Sequence, residues 1–320
     1  MKIVVLDSYT TNPGDLSWDF LNEYSRDVSI YERTAQNDVV KRAKGANILI
    51  INKTILTKDE LTKLSPELMY IGLQSTGYNV VDLKAATELG ITVCNIPEYS
   101  TNAVAQQVFA FILQFTNKIN LHSESVHNGD WVKCPDFCYW KSPLSELNGK
   151  VLGIIGFGSI GQKVAEIGEA FGMNVVFNSR SEKDTSGFKT AKQVDLDTLL
   201  KESDFVTCHC PLTMKTFGLI NLANLKKMKK TAYLINTSRG PVVNEKDLAY
   251  ALNNKLIAGA GVDVLSIEPP KAENPLLCAK NCYITPHIAW AAKETRERLI
   301  NVLDENIAKF LKGSPQNQVN

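Results

Sequence analysis

The chain has 320 residues, which is enough for about two domains that each bury a core of their own. Its formal net charge is +1 and its sequence pI is about 7.5, so its overall charge does not indicate binding to nucleic acid or to an anionic membrane. No apolar stretch reaches the length of a membrane span, and the seven cysteines are scattered without a Cys-x-x-Cys pair, so we expect reduced thiols, no metal site and a cytoplasmic protein.

Residues 1–98 alternate short apolar strands with helical stretches, the pattern of a small α/β domain with a parallel sheet. The predicted strands are Lys2–Leu6, Val28–Tyr31, Asn47–Ile51, Tyr70–Leu73 and Thr92–Asn95. The predicted helices are Ser17–Tyr24, Asn37–Lys44 and Lys58–Leu64. The first strand is too short to be the apolar core of a signal peptide.

Residues 101–150 predict a helix followed by an irregular arm. Thr101 to about Lys118 is largely apolar and should form one long helix. Residues 119–150 should be irregular and are rich in aromatic residues, with Trp131, Phe137 and Trp140 among them. An exposed arm with this much aromatic area is typical of a partner interface, so we expect a homodimer. The alternative is that the arm forms a small local core.

Residues 151–180 contain the most specific pattern in the chain. Val151–Ile155 reads as a buried strand, Gly156, Gly158 and Gly161 form Gly-x-Gly-x-x-Gly, and apolar residues at helical spacing follow before a second strand at Asn174–Phe177. In this strand–helix–strand setting the glycines permit a tight turn, close backbone approach to a pyrophosphate and close helix packing. The pattern therefore predicts a dinucleotide site at the start of the helix.

Strands and helices continue to alternate up to about residue 285. We expect strands at Phe205–Cys208, Ala232–Asn236, Ala258–Val262 and Cys282–Ile284, and helices at Leu196–Lys201, Leu222–Met228 and Glu245–Asn253. A last helix, Ala291–Leu311, should return to the first domain, and the polar tail Gly313–Asn320 should be frayed. The predicted domains are thus 1–100 with 290–320, which is discontinuous, and 101–289, with the arm near 119–150.

Three polar residues follow predicted strands at the edge where a doubly wound sheet keeps its ligands: Arg239, Glu268 and His287. A histidine can transfer a proton, a neighbouring carboxylate can fix its ring, and an arginine can bind a carboxylate through two parallel hydrogen bonds. Together with a nicotinamide these groups suit the reduction of a 2-keto acid. Taken singly, each could be a surface charge, a turn residue or a core histidine.

The chain resembles the D-isomer-specific 2-hydroxyacid dehydrogenases over essentially its full length. The motifs that carry the resemblance are Gly156-Phe-Gly-Ser-Ile-Gly161, His209-Cys-Pro-Leu212, Asn236-Thr-Ser-Arg-Gly240, Asp263-Val-Leu-Ser-Ile-Glu-Pro269 and Thr285-Pro-His-Ile288. Further stretches, among them Ser75-Thr-Gly-Tyr-Asn-Val-Val-Asp82, resemble the glycerate dehydrogenase (hydroxypyruvate reductase) branch.

The resemblance implies a fold and a set of site residues. The fold would be α/β with two doubly wound parallel-sheet domains, a Rossmann-type cofactor domain and a smaller flavodoxin-like substrate domain, with the substrate between them. His287 would be the general acid, Glu268 its partner, and Arg239 the residue that binds and polarises the substrate, while the backbone amides of Thr76 and Gly77 would hold its carboxylate. The residues expected to bind cofactor are Gly156, Phe157, Gly158, Ser159, Ile160, Gly161, Ser179, Arg180, His209, Pro211, Thr216, Thr237 and Asp263.

One departure from the family concerns the cofactor. NAD-dependent members end the second strand of the cofactor domain with an acidic residue that binds the ribose hydroxyls, whereas this chain has Ser179 followed by Arg180. Loss of the carboxylate and gain of a guanidinium predict that NADP(H) is favoured over NAD(H).

Two other functions fit the same residues. A dinucleotide-sensing regulatory protein, like the carboxyl-terminal binding protein corepressors, would keep the same three polar residues, although the absence of disordered interaction tails favours an enzyme. A formate or phosphite dehydrogenase relative fits less well, because formate dehydrogenases carry glutamine where Glu268 stands.

Overall fold

The computed structural model describes residues 1–320, and its secondary structure alternates between strands and helices. The strands are β1 Lys2–Val5, β2 Asp27–Ile30, β3 Ile48–Ile51, β4 Tyr70–Leu73, β5 Thr92–Cys94, β6 Val151–Ile155, β7 Asn174–Asn178, β8 Lys192–Gln193, β9 Phe205–Cys208, β10 Tyr233–Asn236, β11 Gly259–Val262 and β12 Cys282–Ile284.

Ten α-helices connect or flank these strands. They are α1 Val39–Ala43, α2 Lys58–Leu64, α3 Leu83–Glu88, α4 Thr101–Asn117, α5 Ile119–His127, α6 Ser159–Ala170, α7 Leu196–Glu202, α8 Leu222–Leu225, α9 Glu245–Asn253 and α10 Lys293–Leu311. Four short 3₁₀ segments lie at Asp19–Glu23, Gln36–Asp38, Gly240–Val242 and Pro275–Cys278.

The chain divides into two compact units. Unit 1 comprises residues 1–100 and 291–320, and unit 2 comprises residues 101–290. The assignment of substrate binding to unit 1 and of cofactor binding to unit 2 remains a prediction.

Unit 1 is built on a five-stranded parallel sheet in the order β2-β1-β3-β4-β5. This is the order of the flavodoxin-like doubly wound fold. Every residue of β3 and β4 is buried, as expected for strands covered on both faces, and this explains their continuous apolar sequences. On one face α10 packs against β4, where the rings of Phe310 and Tyr70 lie 4.7 Å apart.

Unit 2 is built on a seven-stranded parallel sheet in the order β12-β11-β10-β9-β6-β7-β8. Counted within this unit, the order 3-2-1-4-5-6 of the Rossmann fold runs from β8 to β11, and β12 adds one more strand. Apolar cores lie on both faces of this sheet. The predicted fold class, two doubly wound parallel-sheet domains, is confirmed.

Several predicted elements were wrong in detail. Residues 17–24 form only the 3₁₀ segment Asp19–Glu23, α8 ends at Leu225, α10 begins at Lys293, and the short edge strand β8 was not predicted. The arm was predicted to be irregular throughout, yet its first part is helix α5, which is polar enough to hide its periodicity and is separated from α4 by Lys118 in a left-handed conformation.

The C-terminal tail was predicted to be frayed, and this was also wrong. Val319 N–H donates to Val93 O over 2.9 Å, and Asn95 N–H donates to Asn317 O over 3.0 Å. The side chain of Asn320 accepts a hydrogen bond from Val93 N–H as well. The tail therefore pairs with β5, a contact between distant parts of the chain that no local pattern reveals.

Candidate active site

The Gly-x-Gly-x-x-Gly loop joins β6 to α6 in a conformation that requires glycine. Gly156 has φ +97°, and a β-carbon there would lie 2.7 Å from the backbone nitrogen of Cys210. Helices α7, α8 and α9 begin with a side-chain cap from Asp195, Asn221 and Asn244, respectively, whereas the N-cap of α6 is Gly158, which has no side chain to offer. The amino end of α6 thus presents backbone N–H groups and the positive end of the helix dipole to an anion.

Phe157 in this loop and Ile160 at the start of α6 both pack on the apolar core. The Phe157 ring is buried and stacks on Phe177 with 3.8 Å between ring centroids. The side chain of Ile160 packs on the same apolar cluster. The buried ring of Phe157 therefore stabilises the loop, and any contact of Phe157 with a cofactor would come from its backbone, whereas the Ile160 side chain is only partly buried.

The segment after β7 carries Ser179 and Arg180. Gln193 on the edge strand β8 donates from Nε2 to the carbonyl oxygens of Ser179 over 3.1 Å and of Ser181 over 3.4 Å, which fixes the course of the backbone. The side chain of Arg180 is exposed. An exposed guanidinium on a fixed turn can meet an anionic group on a ligand.

His209 follows directly after β9, and its ring is only partly exposed. Its backbone N–H donates to Ile155 O over 2.7 Å, and its Nε2 lies 2.8 Å from Thr207 Oγ1. Nδ1 is buried without a partner, and burial lowers the pKa of the ring to about 3. The following loop closes on itself, because Thr216 Oγ1 donates to Pro211 O over 2.6 Å.

The turn after β10 presents Arg239. The buried Asn236 braces this turn, since its Nδ2 donates to Arg239 O over 3.0 Å and its Oδ1 accepts from Ser238 N–H over 3.1 Å. A β-carbon at Gly240 would lie 2.0 Å from the carbonyl carbon of Leu265, so only glycine lets this turn meet the loop after β11. The bracing role of Asn236 was not predicted, although Asn-x-Ser is a recognisable turn pattern.

His287 and Glu268 form a direct pair. His287 Nδ1 and Glu268 Oε2 are 2.6 Å apart, and Glu268 Oε1 accepts from Leu265 N–H over 2.9 Å. The two side chains are 28% and 35% exposed, so the pair is accessible without being fully solvated. His287 has φ +54°, a left-handed conformation that costs a non-glycine residue about 1 kcal/mol and has to be held by its surroundings.

Asp263, at the end of β11, makes the bonds that hold this conformation. Its backbone oxygen accepts from His287 N–H over 2.8 Å, and its carboxylate accepts from Ile288 N–H and Ala289 N–H, each over 2.9 Å. Asp263 is 2% exposed, and burial raises the pKa of its carboxyl group. The role of Asp263 in lining the cofactor stays a prediction, whereas its anchoring of the histidine loop is a finding that the sequence pattern did not predict.

The structure thus brings three of the predicted residues onto adjacent loops of unit 2. Arg239, Glu268 and His287 follow β10, β11 and β12, which are neighbours in the sheet, at the carboxyl edge where doubly wound folds bind ligands. Their catalytic roles remain predictions.

Thr76 and Gly77 lie in unit 1, in the loop after β4. The carbonyl oxygens of this loop are occupied: Asn95 Nδ2 donates to Thr76 O over 2.8 Å, and Ser75 Oγ donates to Gly77 O over 2.6 Å. The backbone N–H groups of Thr76 and Gly77 donate to no acceptor within the chain. The loop therefore offers two N–H donors on a fixed backbone.

No group of three His, Cys, Asp or Glu side chains is placed to hold a metal ion, and all seven cysteines are free thiols. None of the helices combines the length and apolar character that crossing a membrane would need.

Comparison with known proteins identifies the family. Residues 109–289 match the model of the D-isomer specific 2-hydroxyacid dehydrogenase, NAD binding domain. The chain is 45% identical to a hydroxypyruvate reductase of Blautia hydrogenotrophica, with 100% of both chains covered, and 40% identical to a glycerate dehydrogenase of Methylorubrum extorquens, with 99% of this chain and 98% of the other covered.

Among solved structures, the acyclic imino acid reductase Bsp5 in complex with NADPH and D-Arg aligns over 100% of both chains, with a TM-score of 0.88 and 33% identity. The chain therefore belongs to the D-isomer-specific 2-hydroxyacid dehydrogenase family and is an oxidoreductase with a nicotinamide-dinucleotide-binding domain.

Proposed function

We propose that the protein reduces small 2-keto acids, such as hydroxypyruvate or glyoxylate, to D-2-hydroxy acids. The observation that carries this proposal is the 2.6 Å contact between His287 Nδ1 and Glu268 Oε2. This contact engages Nδ1 of the ring and leaves Nε2 for a substrate. The names of the relatives from Blautia hydrogenotrophica and Methylorubrum extorquens, a hydroxypyruvate reductase and a glycerate dehydrogenase, support this substrate class.

The proposed reaction adds a hydride to the carbonyl carbon and a proton to the carbonyl oxygen. A bound nicotinamide dinucleotide supplies the hydride. His287 supplies the proton from Nε2, since Glu268 holds Nδ1 and so fixes the orientation of the ring. Arg239 uses one N–H group to donate to Ser238 O over 2.8 Å, and its other N–H groups bind the substrate in bidentate geometry.

We also propose that the N–H groups of Thr76 and Gly77 bind the substrate carboxylate. The support is that both donors are unused within the chain while the carbonyl oxygens of the same loop are occupied. Successive backbone N–H groups in a turn form an anion-binding concavity. Because the turn is fixed by Asn95 and Ser75, the donors need little reordering when an anion binds.

Residues of unit 2 fit a dinucleotide. The uncapped amino end of α6 suits a pyrophosphate, and Gly156 and Gly161 shape the turn in front of it. The hydroxyl oxygen of Thr237 is buried without a partner within the chain, next to the turn that carries Arg239, and a ligand could satisfy it. We therefore assign the pyrophosphate to the glycine loop and place Thr237 among the residues that bind the dinucleotide.

We infer that NADP(H) is preferred over NAD(H). Ser179 stands where an acidic residue would repel a 2′-phosphate, and the exposed Arg180 can pair with that phosphate, with Ser181 and Lys183 near it in the sequence. The NADPH bound to the imino acid reductase neighbour supports the same inference. In the competing arrangement Arg180 points into solvent and NAD(H) binds without its usual carboxylate partner.

We infer a homodimer that forms through the arm. Val132 and Phe137 are 90% and 89% exposed, and Trp131 and Trp140 are also exposed, so the aromatic residues do not form a local core. The arm is nevertheless held in shape: Trp131 Nε1 donates to Phe137 O over 3.1 Å, and Lys141 pairs with Asp130 over 2.6 Å. An exposed apolar surface with a fixed backbone is typical of a protein–protein interface. We further infer a cytoplasmic location, which the free cysteines support.

Turnover of 2-keto acids by purified protein tests the proposed function. NADPH and NADH are each offered with hydroxypyruvate, glyoxylate, pyruvate and bulkier 2-keto acids, and loss of nicotinamide absorbance is followed. We expect His287→Ala to lower kcat by about 10²–10⁴-fold, the usual contribution of a general acid. Arg239→Ala should also raise KM, because the substrate loses a charged partner.

The matched control is His127→Ala, since His127 is exposed on α5 and should leave kcat unchanged. Parent-like rates in His287→Ala or Arg239→Ala would refute the assignment. If the parent binds a dinucleotide tightly but turns over no keto acid, the protein is a sensor instead.

A further inference from the structure

We propose that Thr285 is a positioning residue for this reaction: its hydroxyl group fixes the Asp263 carboxylate, which in turn holds the loop that carries His287. The inference rests on the proposed role of His287 as the proton donor. Thr285 would act on His287 through the carboxylate of Asp263 rather than by direct contact with the ring.

Asp263 is the centre of the hydrogen bonds in this loop. Its Oδ1 accepts from Thr285 Oγ1 over 2.6 Å and from Ile288 N–H over 2.9 Å, while its Oδ2 accepts from Ala289 N–H over 2.9 Å. Its backbone oxygen accepts from His287 N–H over 2.8 Å. A single buried residue thus contacts the loop before, at and after the histidine.

The hydroxyl proton of Thr285 is aimed at this carboxylate. Gln107, on α4, donates from Nε2 to Thr285 Oγ1 across 3.4 Å, so the hydroxyl oxygen serves as an acceptor on that side. The shorter contact, of 2.6 Å, joins Thr285 Oγ1 to Asp263 Oδ1. An ionised carboxylate has no proton to donate, so Asp263 is the acceptor in this contact. Gln107 therefore helps to orient the hydroxyl group, and the hydroxyl group orients the carboxylate.

The carboxylate depends on such partners because it is buried. Burial raises the pKa of Asp263, whereas the Thr285 hydroxyl, the N–H groups of Ala289 and Ile288, and the charge of His287 oppose that rise. Without the hydroxyl group, the carboxylate loses its shortest hydrogen bond and becomes easier to protonate. A protonated carboxyl group holds the N–H groups of the loop less firmly.

The loop needs this hold because His287 has φ +54°. A relaxed backbone would turn the imidazole away from Glu268, and the proton would no longer be delivered from a fixed ring. Arg239 is held by a different set of bonds, from Asn236. Loss of the Thr285 hydroxyl should therefore lower kcat and leave the KM for the keto acid nearly unchanged.

Three variants test the proposal. Thr285→Val removes the hydroxyl group at nearly constant size, and Thr285→Ser restores it. Thr190→Val is the matched control, since the Thr190 hydroxyl donates to Glu169 over 2.8 Å and lies near the start of β7, towards the other end of the sheet from β12. The first readout is the ¹⁵N chemical shifts of the histidine rings, which report hydrogen bonding at Nδ1. The chain has four histidines, and His287→Ala assigns the relevant signal.

Glu268→Ala gives the ¹⁵N chemical shift of His287 Nδ1 without its carboxylate partner. We expect this chemical shift in Thr285→Val to move towards the Glu268→Ala value. In Thr285→Ser and Thr190→Val it should stay at the parent value. In kinetics, kcat of Thr285→Val should fall about tenfold, as for one lost hydrogen bond to a charged group, while KM changes less than about twofold. Thr285→Ser should recover most of kcat.

Parent values of both the ring shift and kcat in Thr285→Val would overturn the proposal. So would a Thr285→Val protein whose only change is a lower Tm, because Thr285 would then serve packing alone. If the parent turns over no keto acid, the proposed function fails, whereas the ring shifts still decide whether Thr285 positions His287.

Discussion

Acid should destabilise this protein through His209, whose ring is partly buried and whose Nδ1 atom is shielded from solvent. Burial lowers the pKa of this ring to about 3 in the folded chain, whereas the ordinary value is 6.5. The unfolded chain therefore binds a proton between these two pH values and the folded chain does not. It follows that the contribution of His209 to stability is complete above about pH 6.5 and is lost as the pH falls towards the folded value.

The magnitude follows from the size of this window. A pH of 5 lies about 1.5 units below the pKa of histidine in the unfolded chain. Each pH unit in this window changes the free energy of unfolding by about 1.4 kcal/mol. We therefore expect His209 to remove about 2 kcal/mol of the free energy of unfolding between about pH 7.5 and pH 5. Nδ1 is buried and unpartnered and Nε2 is engaged with Thr207, so no carboxylate offsets this loss.

Urea unfolding at the two pH values, followed by circular dichroism, measures this contribution. His209→Gln keeps a polar group within reach of Thr207 but cannot be protonated, so its free energy of unfolding should fall by about 2 kcal/mol less than that of the parent. His127→Gln, at an exposed position on α5, should behave like the parent. If parent and His209→Gln lose the same stability, the folded ring accepts a proton from solvent and the reasoning is wrong.

Three further predictions concern the cofactor, the arm and the Arg239 turn. NADPH should give a higher kcat/KM than NADH, and Ser179→Asp should reverse that order by restoring repulsion of a 2′-phosphate; a parent that uses NADH at least as well would refute the inference. Light scattering at micromolar concentration should give twice the monomer mass of 35.4 kDa, and Phe137→Asp should lower it to the monomer mass; a monomeric parent would leave the arm a feature of a single chain. Gly240→Ala forces a β-carbon within 2.0 Å of Leu265 and should lower stability by about 1–3 kcal/mol together with kcat, as thermal unfolding and turnover would measure, and an unchanged protein would contradict the close packing of the two turns.

The order of elements in both units could be predicted largely from sequence because the central strands, such as β3, β4 and β9, are buried at every residue and therefore mostly apolar. β3 and β6 were predicted with at most one residue of error for this reason. The glycine loop could also be predicted from sequence, since Gly156 has a positive φ that favours glycine and helix α6 begins at Ser159, three residues later. Arg239, Glu268 and His287 stood out because each follows an apolar strand.

Tertiary structure alone decided what depends on distant contacts. The tail pairs with β5 through backbone groups that carry no sequence signature, so residues 313–320 looked frayed. α5 has a mixed polar composition, and its helical pattern is weak without its neighbours. The bonds that Asp263 makes to the loop of His287 join residues more than twenty positions apart, and the spacing of residues cannot reveal which oxygen meets which N–H group. Sequence identified the reactive residue types, whereas folding supplied the contacts that orient them.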